Sequence, residues 1–290
     1  MIHFMNRLPV AKRAQILSLL CEGSSMRSVS RVADVSINTV SKLLADAGTV
    51  CGAFHDEMVR NVEAKRVQCD EIWSFVGAKK KTVQKDPSIL ERNPDAGDAW
   101  TWTAIEADTK LVIAYLVGAR DSHSAYSLMC DIRSRVTERI QLTTDQLSIY
   151  LKSVDRAFGV DVDYAMLQKL YAGGQDGRYS PAECIGTKKV LVTGDPDPKH
   201  ISTSYVERAN LTMRMHMRRF TRLTNAFSKK FANHAHMVAI YTVWYNWIRP
   251  HKTLKQTPAM AAKLTDRQWD FAEIVELMDQ LALVPATQSE

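Results

Sequence analysis

The sequence predicts an α/β protein: a mixed sheet flanked by helices, an N-terminal all-α domain of helix-turn-helix pattern, and a helical C-terminal region. Three observations predict it. The first fifty residues carry three short apolar faces at helical spacing. From Val67 onward the period changes to two, and short alternating runs recur. Longer helical segments separate and follow those runs, which is the pattern of a sheet covered by helices. At 290 residues the chain exceeds the usual single domain, and a 46% hydrophobic content supplies a core.

The first helix starts at Pro9, whose fixed φ suits a helix entry, and carries Ala14, Ile16, Leu17, Leu19 and Leu20 up to Gly23. Ser24 and Ser25 are candidate caps for a second helix with Val29 and Val32. Asp34-Val35-Ser36 makes a turn, and Ser36 caps a third helix through Val40, Leu43 and Leu44, stopped by Gly48. Two short helices joined by a tight turn form the helix-turn-helix pattern. The exposed side of the last helix offers Asn38, Thr39 and Lys42 to a DNA major groove, although any small three-helix domain shares the pattern. Residues 49–65 read as a connector with some helical character.

The strands follow. Val67, Cys69, Glu71, Trp73 and Phe75 alternate with Gln68, Asp70, Ile72, Ser74 and Val76. Lys79, Lys80 and Lys81 and the Pro, Asn and Gly up to Gly97 read as a long, mobile loop. Trp100–Ile105 and Leu111–Val117 are two further strands, Ser122–Val136 a helix, and Ile140, Leu142 and Thr144 a fourth strand running into Asp145. Ser148–Phe158 reads as a helix and Tyr164–Leu170 as a fifth strand. Residues 172–200, rich in Gly and Pro, read as loop with one short strand at Val190–Val192. Ser204–Leu223 reads as a strong helix, another runs from near Ser228 to Ile248, and the tail from Thr265 is an amphipathic helix.

Charge and cysteines narrow the class. The net charge is +6, yet Lys188–Lys230 alone holds ten Lys or Arg against three acids. A zone more basic than the whole chain is what a polyphosphate partner needs, or else a solvated helix face. Five scattered cysteines form no Cys-x-x-Cys pair, which excludes a zinc ribbon and a disulfide framework. The N-terminus lacks the apolar core of a secretory signal and no stretch is long enough to span a bilayer. A reduced, cytoplasmic, nucleoid-associated bacterial protein without a membrane partner is expected.

Three acids carry the candidate chemistry. Asp70 sits inside an apolar strand, where an unpaired charge is costly and rarely serves stability. Its neighbour Glu71 is expected on the opposite face by alternation. Asp145 reads equally as a strand-to-helix cap, and Glu207 as an acid favoured by a helix N-terminus. Their order decides: first strand, end of fourth strand, late helix. Hard cations such as Mg²⁺ or Mn²⁺ take oxygen ligands, so such acids suit a metal-dependent phosphoryl transfer. On the late helix Val206, Ala209, Met213, Met217 and Phe220 form the apolar stripe, and Glu207, Arg214 and Arg218 share a neighbouring face.

Three strands, a helix, a strand, a helix, a strand and a late helix is the order of the RNase H-like fold. The stretches CDEIWSFVGAKKK (69–81), TTDQLSIY (143–150) and YVERANLTMRMHMRRFTRLTNAFSKK (205–230) resemble the insertion-sequence-one family of DDE transposases, within the retroviral integrase superfamily. YNWIRPHKTLKQTPAMAAKLTD (245–266) is similar to the tails of its longer members. The resemblance implies an RNase H-like catalytic core in which Asp70, Asp145 and Glu207 are the catalytic and metal-binding triad, holding two Mg²⁺ or Mn²⁺ ions. Arg214 matches the basic residue the family places seven after its Glu. His200, just upstream, is a looser candidate. Family members of classical type begin with a zinc-binding cysteine module, which this chain replaces with the helix-turn-helix.

The implied activity is transposition: metal-dependent hydrolysis at each element end, then attack of the freed 3′-hydroxyl on target DNA. The implied partners are terminal inverted repeats, target DNA and a second copy of the chain or more. Lys79, Lys80 and Lys81 with Arg214, Arg218, Arg219 and Arg222 would hold backbone. The expected division is 1–50 DNA-binding, 51–65 linker, 66–230 catalytic and 231–290 C-terminal helical. Two alternatives stay open: a DNA-binding regulator or domesticated transposase without cutting activity, and an RNase H-like nuclease that cleaves without joining.

Overall fold

The computed structural model describes residues 7–171, 184–221 and 224–283. In chain order the elements are α1 (Val10–Cys21), α2 (Met26–Val32), α3 (Ile37–Met58), β1 (Arg66–Val76), α4 (Lys80–Lys85), α5 (Ser88–Arg92), β2 (Gly97–Glu106), β3 (Val112–Gly118), α6 (Ser122–Arg135), β4 (Gln141–Asp145), α7 (Ile149–Phe158), β5 (Asp163–Tyr171), β6 (Cys184–Thr193), α8 (Ser204–His216), α9 (Phe231–Val243), α10 (Pro258–Ala261) and α11 (Phe271–Leu283). The six strands form one mixed sheet in the order β3-β2-β1-β4-β5-β6. The α/β class is as expected. Among the described residues no helix is long and apolar enough to cross a membrane.

The chain divides into two compact units. One comprises Met1–Val59, Trp73–Trp100 and Leu211–Glu290; the other comprises Arg60–Ile72 and Thr101–Asn210.

In the first unit the Ser25 and Ser36 hydroxyls accept from the backbone N–H of Ser28 and Thr39, closing the N-termini of α2 and α3. Asp34 makes the intervening turn at φ 48°, a left-handed conformation that Asp tolerates. Helix α3 does not stop at Gly48 but continues to Met58, so much of the expected connector is helix. The glycine serves packing instead: a Cβ there would lie 2.2 Å from the Cβ and 2.6 Å from the Cα of His236 on α9. The expected loop after β1 contains the two short helices α4 and α5. The amphipathic tail becomes α11 and packs on α1, where the Arg13 guanidinium makes two 2.6 Å bonds to Asp279.

In the second unit β1 pairs with β4 in parallel, Arg66 against Gln141, Val67 against Leu142 and Gln68 against Thr143. β4 pairs in parallel with β5, Asp145 against Leu167. β5 pairs antiparallel with β6, a ten-residue strand where only Val190–Val192 was expected. Its exposed Ile185 and Leu191 leave it without the buried face that would have marked it. Helix α8 also departs from expectation, ending at His216 rather than Leu223. A 3₁₀ turn, Arg218–Phe220, follows it, so Arg218 lies outside the helix and does not continue the face of Glu207.

In a helix interior Gly→Ala usually stabilises by about 1 kcal/mol. At Gly48 the sign reverses, because the added methyl meets helix backbone. Gly48→Ala is expected to destabilise by about 1–3 kcal/mol, read as a lower midpoint in urea unfolding. A midpoint unchanged or raised would show that α3 and α9 do not approach this closely.

Candidate metal centre

The β1–β4 register builds the site. Continued by two residues, it sets Asp70 level with Asp145, the last residue of β4. Level residues of parallel neighbours share a face. One carboxylate oxygen each from Asp70, Glu71 and Asp145 lies within 4.8 Å of the others. Glu71 was expected on the opposite face. Alternation fixes Cβ direction, not the end of a longer side chain. β4 also stops at Asp145, so beyond Asp70 this flank of β1 has no neighbouring strand in the way.

Glu71 is held by Arg120 and Tyr150. The Arg120 Nη2 lies 2.6 Å from Oε1, and the buried Tyr150 hydroxyl donates to Oε2 at 3.2 Å. Tyr150 packs edge-on against Trp102. Asp145 Oδ1 accepts from the backbone N–H of Leu147 at 3.0 Å, so the predicted cap and the predicted ligand are one residue. Gln68, two residues before Asp70, accepts from the backbone N–H groups of Tyr205 and Val206. It thereby caps the start of α8 from β1. Val206 and Ala209 bury against Ile105, while Glu207 and Asn210, three residues apart, share a side. Asn210 Nδ2 donates to Asp70 Oδ2 at 2.8 Å.

Glu207 is not among the three convergent carboxylates. Its Oε2 accepts from the Lys169 ammonium and its Oε1 from the Thr203 hydroxyl. Its charge nonetheless acts on Asp70 and Asp145, raising both carboxyls. His200 lies with Arg66 and Asp197 rather than with the acids.

Burial dominates the titration. It pushes Asp70 up to about 6, against the Asn210 hydrogen bond, with Asp145 and Glu207 adding to the rise. It pushes Glu71 up to about 7, reinforced by Asp145 and opposed by Arg120. Asp145 is raised as well, again chiefly by burial. Neighbouring acids that resist ionisation suit a cation that would relieve them. Asn210 fits too: it is 2% exposed and its Oδ1 has no hydrogen-bond partner among the described residues, leaving a buried oxygen acceptor beside Asp70. The donor set is all oxygen, as Mg²⁺ and Mn²⁺ require.

The expected DNA-contacting residues fall mainly in the first unit. Asn38 is exposed, Thr39 bonds Ser36 in the cap, and Lys42 pairs with Asp46 at 2.5 Å. Lys79, Lys80 and Lys81 are exposed, with the Lys79 ammonium 5.6 Å from the Trp73 ring centre. Arg214 and Arg218 are exposed. Arg219 donates to Ser228 Oγ and to the Asn233 carbonyl, and burial lowers its guanidinium to about 10. Arg222 lies outside the described residues. A cavity of about 1090 Å³ is lined by Arg27, Arg218, Arg219, Lys229 and Lys230 together with Asn38, with no acid among the described lining residues.

No family model matches the chain, and no curated protein matches it. Among solved structures the chain is similar to a piggyBac transposase synaptic complex with hairpin DNA, at 10% identity and TM-score 0.36, over 96% of this chain and 73% of that one. It is also similar to a Mos1 transposase paired-end complex with the left transposon end, at 12% identity and TM-score 0.29, over 85% and 80%. A pre-cleavage Mos1 transpososome gives 12% and 0.27, over 83% and 79%. At these identities and scores the likenesses establish neither a shared fold nor a shared activity.

A group whose folded pKa is raised takes up protons that the unfolded chain releases. The stability it contributes is present below the ordinary carboxylate range and is lost as pH rises through about 6 to 7. The acids therefore contribute less at about pH 8 than at about pH 5, opposed over the same range by His234, which burial lowers to about 3, and added Mn²⁺ is expected to raise the melting temperature more at the higher pH. Asp70→Asn should raise the metal-free melting temperature more at the higher pH than at the lower, changing the slope. Calorimetry that finds an equal slope in the variant would remove Asp70 from this account.

Proposed function

We propose that this chain is a DDE transposase of insertion-sequence-one type with an RNase H-like catalytic core. Asp70, Asp145 and Glu207 hold divalent metal, and α1–α3 act as a helix-turn-helix reader. The observation that carries the reading is the level placement of Asp70 and Asp145 on adjacent parallel strands with their oxygens convergent. The strand order, with β1, β4 and β5 parallel and consecutive strands β1, β2 and β3 neighbours, supports the RNase H-like assignment. The motifs around Asp70, Asp145 and Glu207 support the family.

Divalent ions at such a site supply activation of an oxygen nucleophile and neutralisation of the leaving oxygen. The protein's own residues arrange the acceptors. Asp70 and Asp145 present oxygens from the strand ends, and Asn210 orients Asp70 through its amide. Arg120 and Tyr150 fix Glu71, which adds a carboxylate that the motif comparison does not include. The gain over water comes from positioning a scissile phosphodiester against these acceptors. Cleavage at an element end frees a 3′-hydroxyl, and its in-line attack on target DNA is the second step.

The basic cavity beside Asn38 supports DNA as partner. Arg27, Arg218, Lys229 and Lys230 line it with no carboxylate among the described lining residues, and backbone phosphates would supply their counter-charge. Two copies are expected to assemble on paired ends.

Asp145→Ala is expected to abolish Mg²⁺- or Mn²⁺-dependent strand transfer from precleaved ends into a plasmid, with DNA affinity kept within a few-fold. Cleavage without any joined product would make the wild-type protein a nuclease, not a transposase. At the cavity, Lys229→Gln combined with Lys230→Gln should weaken duplex binding and flatten the plot of log affinity against log salt by about 1–2. An unaltered slope would take the cavity out of the DNA path.

A further inference from the structure

We propose that Lys169 is a resident counter-ion that limits the DNA-free site to one divalent ion, and that a second is admitted only when the Lys169–Glu207 bond opens. The inference rests on reading the acids as a divalent-ion centre.

The position of Lys169 follows from the sheet. Asp145, the last residue of β4, pairs with Leu167 of β5. Lys169 lies two residues further, on the same face and beyond the end of β4. From there its ammonium donates to Glu207 Oε2, while Thr203 takes Oε1. Both oxygens of Glu207 are thus engaged, which keeps it out of the convergent group of Asp70, Glu71 and Asp145. The ammonium also acts electrostatically on the group itself: it favours ionised Asp145 and is in turn favoured by Asp70.

Charge then limits occupancy. When ionised, the four carboxylates stand against two cations, Lys169 and Arg120, leaving two net negative charges. One divalent ion cancels that. A second would leave the partly buried site with excess positive charge unless Lys169 withdrew or a polyanion arrived. The two cations are not equally removable. Arg120, itself 39% exposed, binds a carboxylate that is 2% exposed, whereas Lys169, 31% exposed, binds one that is 37% exposed and open to exchange with water or phosphate. A flexible lysine at the rim can exchange a carboxylate oxygen for a phosphate oxygen, because its ammonium hydrogen-bonds either. Substrate DNA would therefore draw Lys169 from Glu207 and free Glu207 as a ligand. The unpartnered, buried Asn210 Oδ1 shows that the site has acceptor capacity left over beside Asp70.

Mn²⁺ titrated into the full chain without DNA, with bound ion counted by electron paramagnetic resonance, tests this directly. Wild type should take up one ion. Lys169→Gln should take up a second, at least about tenfold tighter than any second ion in wild type. Lys169→Arg, which keeps the charge, should behave as wild type and shows that the effect is not a packing defect. Two ions of similar affinity in wild type, or a Gln variant that stops at one, overturns the counter-ion role while leaving the metal centre standing. Wild type that takes up no Mn²⁺ defeats both.

Discussion

Parallel pairing of β1 and β4, with Val67 against Leu142, is the constraint on which the site depends. Both residues are buried, so the pair holds its alignment through packing on the sheet. A slip of one residue would turn Asp70 to the other face and separate it from Asp145. The same strand docks α8: Gln68 lies on β1 two residues before Asp70 and accepts the first free N–H groups of the helix. One stretch of β1 therefore sets the position of a strand acid, its partner on β4 and the helix that carries Glu207 and Asn210. These acids are far apart along the chain, and no local interaction could have gathered them.

That gathering has a cost, and its compensation is visible. Buried carboxylates near one another raise each other's proton affinity above the level that burial alone would set. Each has a separate partner: Asn210 for Asp70, Arg120 and Tyr150 for Glu71, the Leu147 amide for Asp145, and Lys169 with Thr203 for Glu207. Arg120 and Lys169 also favour ionised Asp145 through space, yet all three acids remain raised, the arrangement expected where an ion from solution completes the charge balance.

The succession of strands and the unusual position of Asp70 were legible because they rest on short-range signals: period-two runs, turn residues, and an Asp where an apolar residue belonged. What escaped depended on tertiary contact. Gly48 has the signature of a helix stop, and only the approach of His236 reveals it as a packing glycine. Residues 217–223 keep the apolar spacing of a helix, yet the chain leaves α-helical geometry at Met217, which takes φ −114° and ψ 107°. β6 lacks a buried face, so its periodicity carried little information; pairing with β5 defines it. Glu71 was set aside by alternation, a rule about Cβ direction that does not reach the oxygens of a long side chain where the neighbouring strand ends. Asn210 and Lys169 had no signal at all, since an Asn on a helix and a Lys on a strand are ordinary until the acids beside them are known.

The two glutamates differ in a way that bears on which of them would serve as the exchangeable ligand of the proposed metal centre. Glu71 is enclosed, and its charge is matched by a guanidinium and a tyrosine hydroxyl. Withdrawing it would strand Arg120 without its carboxylate and leave a buried phenol unpaired, a change that is costly in a low-dielectric setting. Glu207 is more than a third exposed, held by a lysine that water or phosphate can satisfy instead. The enclosed acid is therefore suited to a permanent place in the charge balance. The rim acid on α8 is suited to joining and leaving, because water can satisfy the lysine and threonine that hold it.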